Sequence, residues 1–227
     1  MMEENKKPSV ILFDVNETLL DMSPLKKKVN NILNSKRGFR IWFGMLLQYS
    51  LVDNCTGQYH DFSTIADATL DMAAKALEKE IEEDEKKEAL ALLKKLSAYA
   101  DVEKGLKLLK EAGFRLATLT NSPMPTLTAQ LQHSGLTTYF EATLSIDGVQ
   151  KYKPATESYQ YAARTLGVST SEIIMVAAHG WDIAGAMQAG LQAAFIERKG
   201  QSLYPLASKP QFVCEDLVEF ANAIIKL

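Results

Sequence analysis

Four groups of polar residues stand just beyond short apolar runs. Asp14, Glu17 and Thr18 follow Val10-Ile11-Leu12-Phe13, and Thr120 and Asn121 follow the run at 114–119. Lys153 comes after a third run at 142–146, and His179 and Asp182 after a fourth at 173–176. In an open parallel sheet, ligands bind beyond the carboxyl ends of the strands, so these residues would converge at one edge. Carboxylates, an ammonium and an imidazole gathered there are groups of nucleophilic and acid–base catalysis. A scaffold protein could carry any one of these groups; four at one sheet edge point to an enzyme.

The elements that must position them alternate in type. Val10-Ile11-Leu12-Phe13 is the continuous apolar run expected of a strand buried on both faces. From residue 22 to 100 the chain reads as mostly helical, with Ser63 placed to cap one helix. After Asp101, a candidate helix N-cap, strands and helices alternate, with Gly113, Gly135 and Gly167 as helix stops. This pattern predicts an α/β protein built on a doubly wound parallel sheet. Residues 1–21 and 101–227 would form the catalytic core, and 22–100 an inserted helical cap.

Composition narrows the function classes. The 227 residues are 47% hydrophobic and 23% charged, enough for a sizeable core. Net charge is −3, which argues against a nucleic-acid partner, while a small anionic substrate needs only local positive groups. Much of the acidity lies in residues 78–88, where seven acids face three lysines, and a solvated face is expected there. The polar residues 1–8 carry no signal pattern, no apolar stretch is long enough for a membrane span, and Cys55 and Cys214 lack metal-ligand spacing. A cytoplasmic protein with no membrane partner is the expectation. His60 and His133 read as structural.

The run Asp14-Val15-Asn16-Glu17-Thr18-Leu19 resembles motif I of the haloacid dehalogenase superfamily. Thr120-Asn121 resembles its motif II, Lys153-Pro154 its motif III, and Ala177-Ala178-His179-Gly180-Trp181-Asp182 the motif IV of its L-2-haloacid dehalogenase branch. Tyr159, six residues after Lys153, also matches that branch. The resemblance spans nearly the whole chain and implies a Rossmann-like core with a cap inserted after motif I. It implies that Asp14 is a nucleophile steadied by Thr18.

Phosphatases of the superfamily carry an acid two residues after the nucleophile, and here that position is Asn16, which cannot transfer a proton. They also hold Mg²⁺ with an acidic pair in motif IV, where this chain keeps Asp182 but has Ala177 and Ala178. A metal-free, cofactor-free dehalogenase fits better: Asp14 attacks the halogen-bearing carbon, and water then hydrolyses the ester. His179, near its usual pKa of about 6.5, would activate that water, oriented by Glu17. A Glu/His pair at these positions resembles a subgroup of the branch, whose better-known members carry Asn at the histidine position. Lys153 would balance charge, Asp182 would hold Lys153 or the water, and Thr18, Thr120, Asn121, Tyr159 and Trp181 would surround the substrate. Familiar members also place a halide-accepting Arg two residues after a cap Trp. Trp42 is present, but that position is Gly44, leaving Arg37, Arg40 or Gln48 as substitutes. The resemblance further implies a homodimer acting on a small haloacid. The same residues leave two alternatives, a Mg²⁺-dependent phosphatase and a non-catalytic protein that binds a small carboxylate.

Overall fold

Val10–Phe13 forms β1, whose four residues are all buried. The computed structural model describes residues 7–227, so the start of the expected core segment 1–21 lies outside the described residues. β1 pairs in parallel with β2 (Arg115–Thr120) on one side and with β4 (Ile173–Ala177) on the other. β3 (Ala142–Ser145), β5 (Gln192–Ile196) and β6 (Phe212–Cys214) complete a six-stranded sheet of order β3-β2-β1-β4-β5-β6. Every pairing is parallel, so the central strands are covered on both faces, which is why they read as unbroken apolar runs. The order reverses direction between β1 and β4, and the crevice at that switch point lies between Asp14 and His179.

Residues 22–100, between β1 and the helix that leads into β2, hold four α-helices: α1 (Ser23–Ile32), α2 (Gly38–Thr56), α3 (Phe62–Ala76) and α4 (Glu83–Ala91). The segment leaves and re-enters side by side. Asp21 N–H donates to Ser97 O and Tyr99 N–H to Leu19 O, with Leu20 and Ala98 forming an antiparallel bridge. Inside it, buried Trp42 donates its indole N–H to Ala66 O at 2.8 Å, tying α2 to α3. All seven acids of the run at 78–88 are exposed, the solvated face expected of them. Lys86 within the run is buried, and its ammonium is held by Asp67 and Asp71 of α3 and by Glu83 at 3.1, 3.1 and 3.2 Å.

The remaining helices are α5 (Val102–Glu111), α6 (Met124–His133), α7 (Thr156–Leu166), α8 (Gly180–Gln188) and α9 (Leu217–Ile225). Two capping expectations are corrected. Asp61, not Ser63, caps α3, its carboxylate accepting from the N–H groups of Ser63 and Thr64. Asp101 stands at the start of α5 but turns its carboxylate to Arg198 (2.8 and 2.9 Å) and to Leu217 N–H (2.8 Å). An arginine fork outcompetes a local N–H because both bonds carry full charge. Among the described residues, no helix is long and apolar enough to cross a membrane.

Candidate active site

Asp14 sits one residue past β1, where its N–H still completes the sheet ladder to Val176 O. Its carboxylate is buried, with each oxygen engaged. Oδ1 accepts from Lys153 Nζ at 2.8 Å, and Oδ2 accepts from the Thr18 hydroxyl at 2.8 Å and lies 3.2 Å from His179 Nδ1. Thr18 Oγ1 in turn accepts from Ala178 N–H at 3.0 Å, which locks the loop after β1 to the loop after β4.

Glu17 adopts φ +58°, the left-handed region that glycine or asparagine enters most readily. A glutamate held there turns its side chain across the crevice. Its Oε2 lies 3.1 Å from His179 Nε2 and accepts from Gln201 Nε2 at 2.9 Å. The imidazole therefore bridges two carboxylates, Asp14 on one nitrogen and Glu17 on the other. Its ring lies between Trp181 and Phe43, with centroids at 5.2 and 6.4 Å.

Lys153 is anchored from both ends. Asn121 Oδ1 accepts its backbone N–H at 3.0 Å, while Nζ donates to Asp14, to Leu119 O at 3.0 Å and to Asp182 Oδ2 at 2.6 Å. Asp182 Oδ1 accepts from the Tyr159 hydroxyl at 2.6 Å. Gly185 permits this packing, because a Cβ there would stand 2.3 Å from Pro154 Cβ and 2.8 Å from the Tyr159 hydroxyl.

Burial alone would raise the pKa of Asp14, but the Lys153 charge and the His179 contact win and hold it well below the usual carboxylate range. Burial pushes Asp182 upward, against the opposing pull of Lys153. For Lys153, burial lowers the pKa while Asp14 and Asp182 raise it, and the net direction is up. His179 departs from the expected near-ordinary imidazole. Burial would lower its pKa, but hydrogen bonds to Asp14 and Glu17 and their charges raise it to about 9. It is an imidazolium in the resting protein at neutral pH.

A stability prediction follows from the sign of that shift. A histidine raised from 6.5 to about 9 stabilises the fold fully below pH 6.5 and loses that contribution as pH rises through 9. The amount at stake is on the order of 3 kcal/mol. Urea unfolding across this window should show the decline, and His179→Gln should flatten it. A wild-type stability that is level from pH 6.5 to 9 would contradict the bridged imidazolium.

The cavity at Asp14 is small, about 20 Å³. Asp14, Lys153 and His179 form its reactive wall, with Asn16, Thr120, Asn121 and Trp181 also lining it and Phe43, Leu47 and Phe62 contributed by α2 and α3. Glu17 lines a wider space outside it, together with Arg40 and Gly44. Arg37 and Gln48 line neither space. Thr18, Tyr159 and Asp182 lie behind this wall, each at most 1% exposed: Thr18 bonds Asp14 and Asp182 holds Lys153, as expected of them, while Tyr159, expected beside the substrate, bonds Asp182 instead.

Three participants carry no local signal in the sequence. Phe62 starts α3, Gln201 follows β5, and Gln130 Nε2 bonds both Asn16 Oδ1 (2.9 Å) and Leu93 O (2.9 Å), linking the cavity floor to the helical insertion.

The model of the haloacid dehalogenase-like hydrolases matches residues 8–190. An (S)-2-haloacid dehalogenase 4A from Burkholderia cepacia is 32% identical over 83% of this chain and 83% of its own length. An (S)-2-haloacid dehalogenase from Pseudomonas sp. (strain YL) is 27% identical over 96% of this chain and 93% of its own. Among solved structures, a dehalogenase crystallised with an intermediate complex superposes with a TM-score of 0.90 at 28% identity, covering 98% of this chain and 99% of that one.

Proposed function

Since this chain belongs to the haloacid dehalogenase-like hydrolases, and within them to the L-2-haloacid dehalogenases, we propose that it hydrolyses short L-2-haloalkanoic acids through an ester on Asp14. The observation that carries this reading is the Asp14 carboxylate, buried and ionised between Lys153 and the His179–Glu17 pair. An Asp14 oxygen attacks the carbon bearing the halogen from the side opposite the leaving group. The carbon–oxygen bond forms as the carbon–halogen bond breaks, halide departs with the bonding pair, and the carbon inverts. Lys153 compensates the negative charge of Asp14 together with that of the incoming carboxylate, in a buried site.

Ester formation removes the charge of Asp14 and with it one of the two supports of the imidazolium. The pKa of His179 then falls, and Nδ1 gives up its proton to solvent water, the one proton that leaves the site along with the halide. Glu17 keeps Nε2 protonated and the ring oriented. Neutral Nδ1, facing the ester, takes a proton from water as that water attacks the ester carbonyl carbon. As the tetrahedral intermediate collapses, the bond to the substrate oxygen breaks and that oxygen takes the remaining proton of the attacking water, which releases the 2-hydroxy acid and restores ionised Asp14 beside a reprotonated His179. Thr18, Tyr159 and Asp182 act as positioning residues for Asp14 and Lys153. Residues 22–100 act as the cap, with Phe43, Leu47 and Phe62 closing over the alkyl group. Exposed Leu51 and Val52 on α2 support a homodimer, and the unpaired Cys55 and Cys214 a reducing cytoplasm.

The phosphatase alternative requires a divalent cation, and the residues do not fit one. The Lys153 ammonium already stands between Asp14 and Asp182, Thr18 and His179 occupy the other Asp14 oxygen, and Gln130 donates to the Asn16 side-chain oxygen. No oxygen set for a hard cation is left at that point.

Halide release from L-2-chloropropionate should therefore persist undiminished in excess EDTA, with the D enantiomer inert. Phosphate release from a monoester that depends on added Mg²⁺, with no halide from any short haloacid, would overturn the proposal.

A further inference from the structure

The cavity at Asp14 opens onto a space of about 610 Å³, and Phe43, Leu47, His179 and Trp181 are common to both. A pocket of about 20 Å³ accounts for the reacting carbon and a very short alkyl group. The larger space is lined by features that such a substrate would not touch.

Three cations reach it from separate parts of the chain: Lys26 on α1, Arg40 on α2 and Lys199 beyond β5. All three are exposed, and among the described residues none of the three side-chain cations has a hydrogen-bond or ion-pair partner. The carboxylate on this rim, Glu17, is already held by His179 and Gln201. In a chain of net charge −3, three unpartnered cations at the mouth of an anion-consuming site form a local positive field. Between them and Asp14 lie Phe43, Leu47 and Trp181, with the His179 ring beside them. At Gly44 the space stands open, because a Cβ there would meet nothing within 4 Å.

We propose that this outer space is a subsite for a second carboxylate, which makes 2-halo dicarboxylic acids the preferred substrate class. The halogen-bearing carbon sits at Asp14, the methylenes lie along Phe43 and Leu47, and the distal carboxylate meets Lys26, Arg40 and Lys199. The inference rests on the dehalogenase reading and extends it to substrate choice.

The test compares kcat/KM for 2-bromosuccinate, 2-bromoglutarate and 2-bromoadipate, each against the monocarboxylate of equal carbon count. At least one dicarboxylate should be favoured by about tenfold, since an exposed ion pair is worth up to about fivefold and more than one is available. The preference should shrink at high salt and collapse toward unity in the Lys26→Gln/Arg40→Gln/Lys199→Gln variant. Gly44→Asp, which puts a carboxylate among the cations, should lower the same ratio independently of how the triple variant folds. Equal or better use of every monocarboxylate, or a preference that survives both variants, overturns the subsite. A fall in kcat/KM shared equally by mono- and dicarboxylates would reduce the cations to general steering and also overturn it. Absence of halide from all substrates, L-2-chloropropionate included, would instead refute the dehalogenase reading itself.

Discussion

His179→Gln stops the reaction at its midpoint. Halide is released once per site, the ester stays on Asp14, and steady-state turnover falls by about 10²- to 10⁴-fold, the range lost with a general base. Glutamine keeps a hydrogen-bonding group near Asp14 and Glu17 but accepts no proton at neutral pH. The nucleophile, its Lys153 partner at 2.8 Å and its Thr18 partner at 2.8 Å are untouched, so the first step continues. Rapid quench with halide detection should show a burst of one equivalent, and intact-protein mass spectrometry should show the substrate's acid residue attached. In the wild type, ester hydrolysis should accelerate with pH with an apparent pKa below the resting value of about 9, because esterification has removed one of the two carboxylates that raise it. A variant that loses the halide burst and turnover together, with no mass gain, would place His179 in the first step instead.

Asp14→Asn has the complementary outcome. Neither halide nor ester forms, and turnover falls by about 10⁴-fold or more, as for other covalent nucleophiles. The fold should survive, because Lys153 retains Asp182 at 2.6 Å and Leu119 O at 3.0 Å, and His179 retains Glu17 at 3.1 Å. The cost is the charge in two buried contacts, to Lys153 and to the His179 imidazolium, on the order of 3–5 kcal/mol. Thermal unfolding and the halide assay separate the two effects. A folded Asp14→Asn protein that still released halide at a tenth of the wild-type rate would remove Asp14 from the chemistry.

Much of this arrangement was legible from residue order. The four apolar runs announce their strands because a parallel sheet covered on both faces tolerates no alternation, and the polar residues after each run then fall at one edge. Asp14, Lys153 and His179 converge on that ground alone. What was not legible depends on contacts between distant segments. Gln201 meets Glu17 across 184 residues, and nothing near either one announces the other. Phe62 reaches the cavity only because α3 starts there, and its cap is Asp61 rather than Ser63. Tyr159 on α7 and Asp182 on α8 stand at the right sheet edge, but complete burial places them behind Lys153. The charge of His179 was misjudged for a similar reason. A spacing of residues shows one carboxylate near an imidazole, and only the folded crevice shows one on each nitrogen. Gly44, read as a missing arginine, lies on the rim of the outer space, one helical turn beyond Arg40.

The covalent route on Asp14 is tested most directly by a single turnover in H₂¹⁸O, with enzyme in excess over L-2-chloropropionate. Water attacks the ester carbonyl carbon, so solvent oxygen must enter the carboxylate of Asp14, and the new hydroxyl of the product must come from the protein. The peptide carrying Asp14 is predicted to gain the heavy isotope while the hydroxy acid stays unlabelled. Label in the hydroxy acid with none on Asp14 would mean that water displaces the halide directly, and would contradict the account.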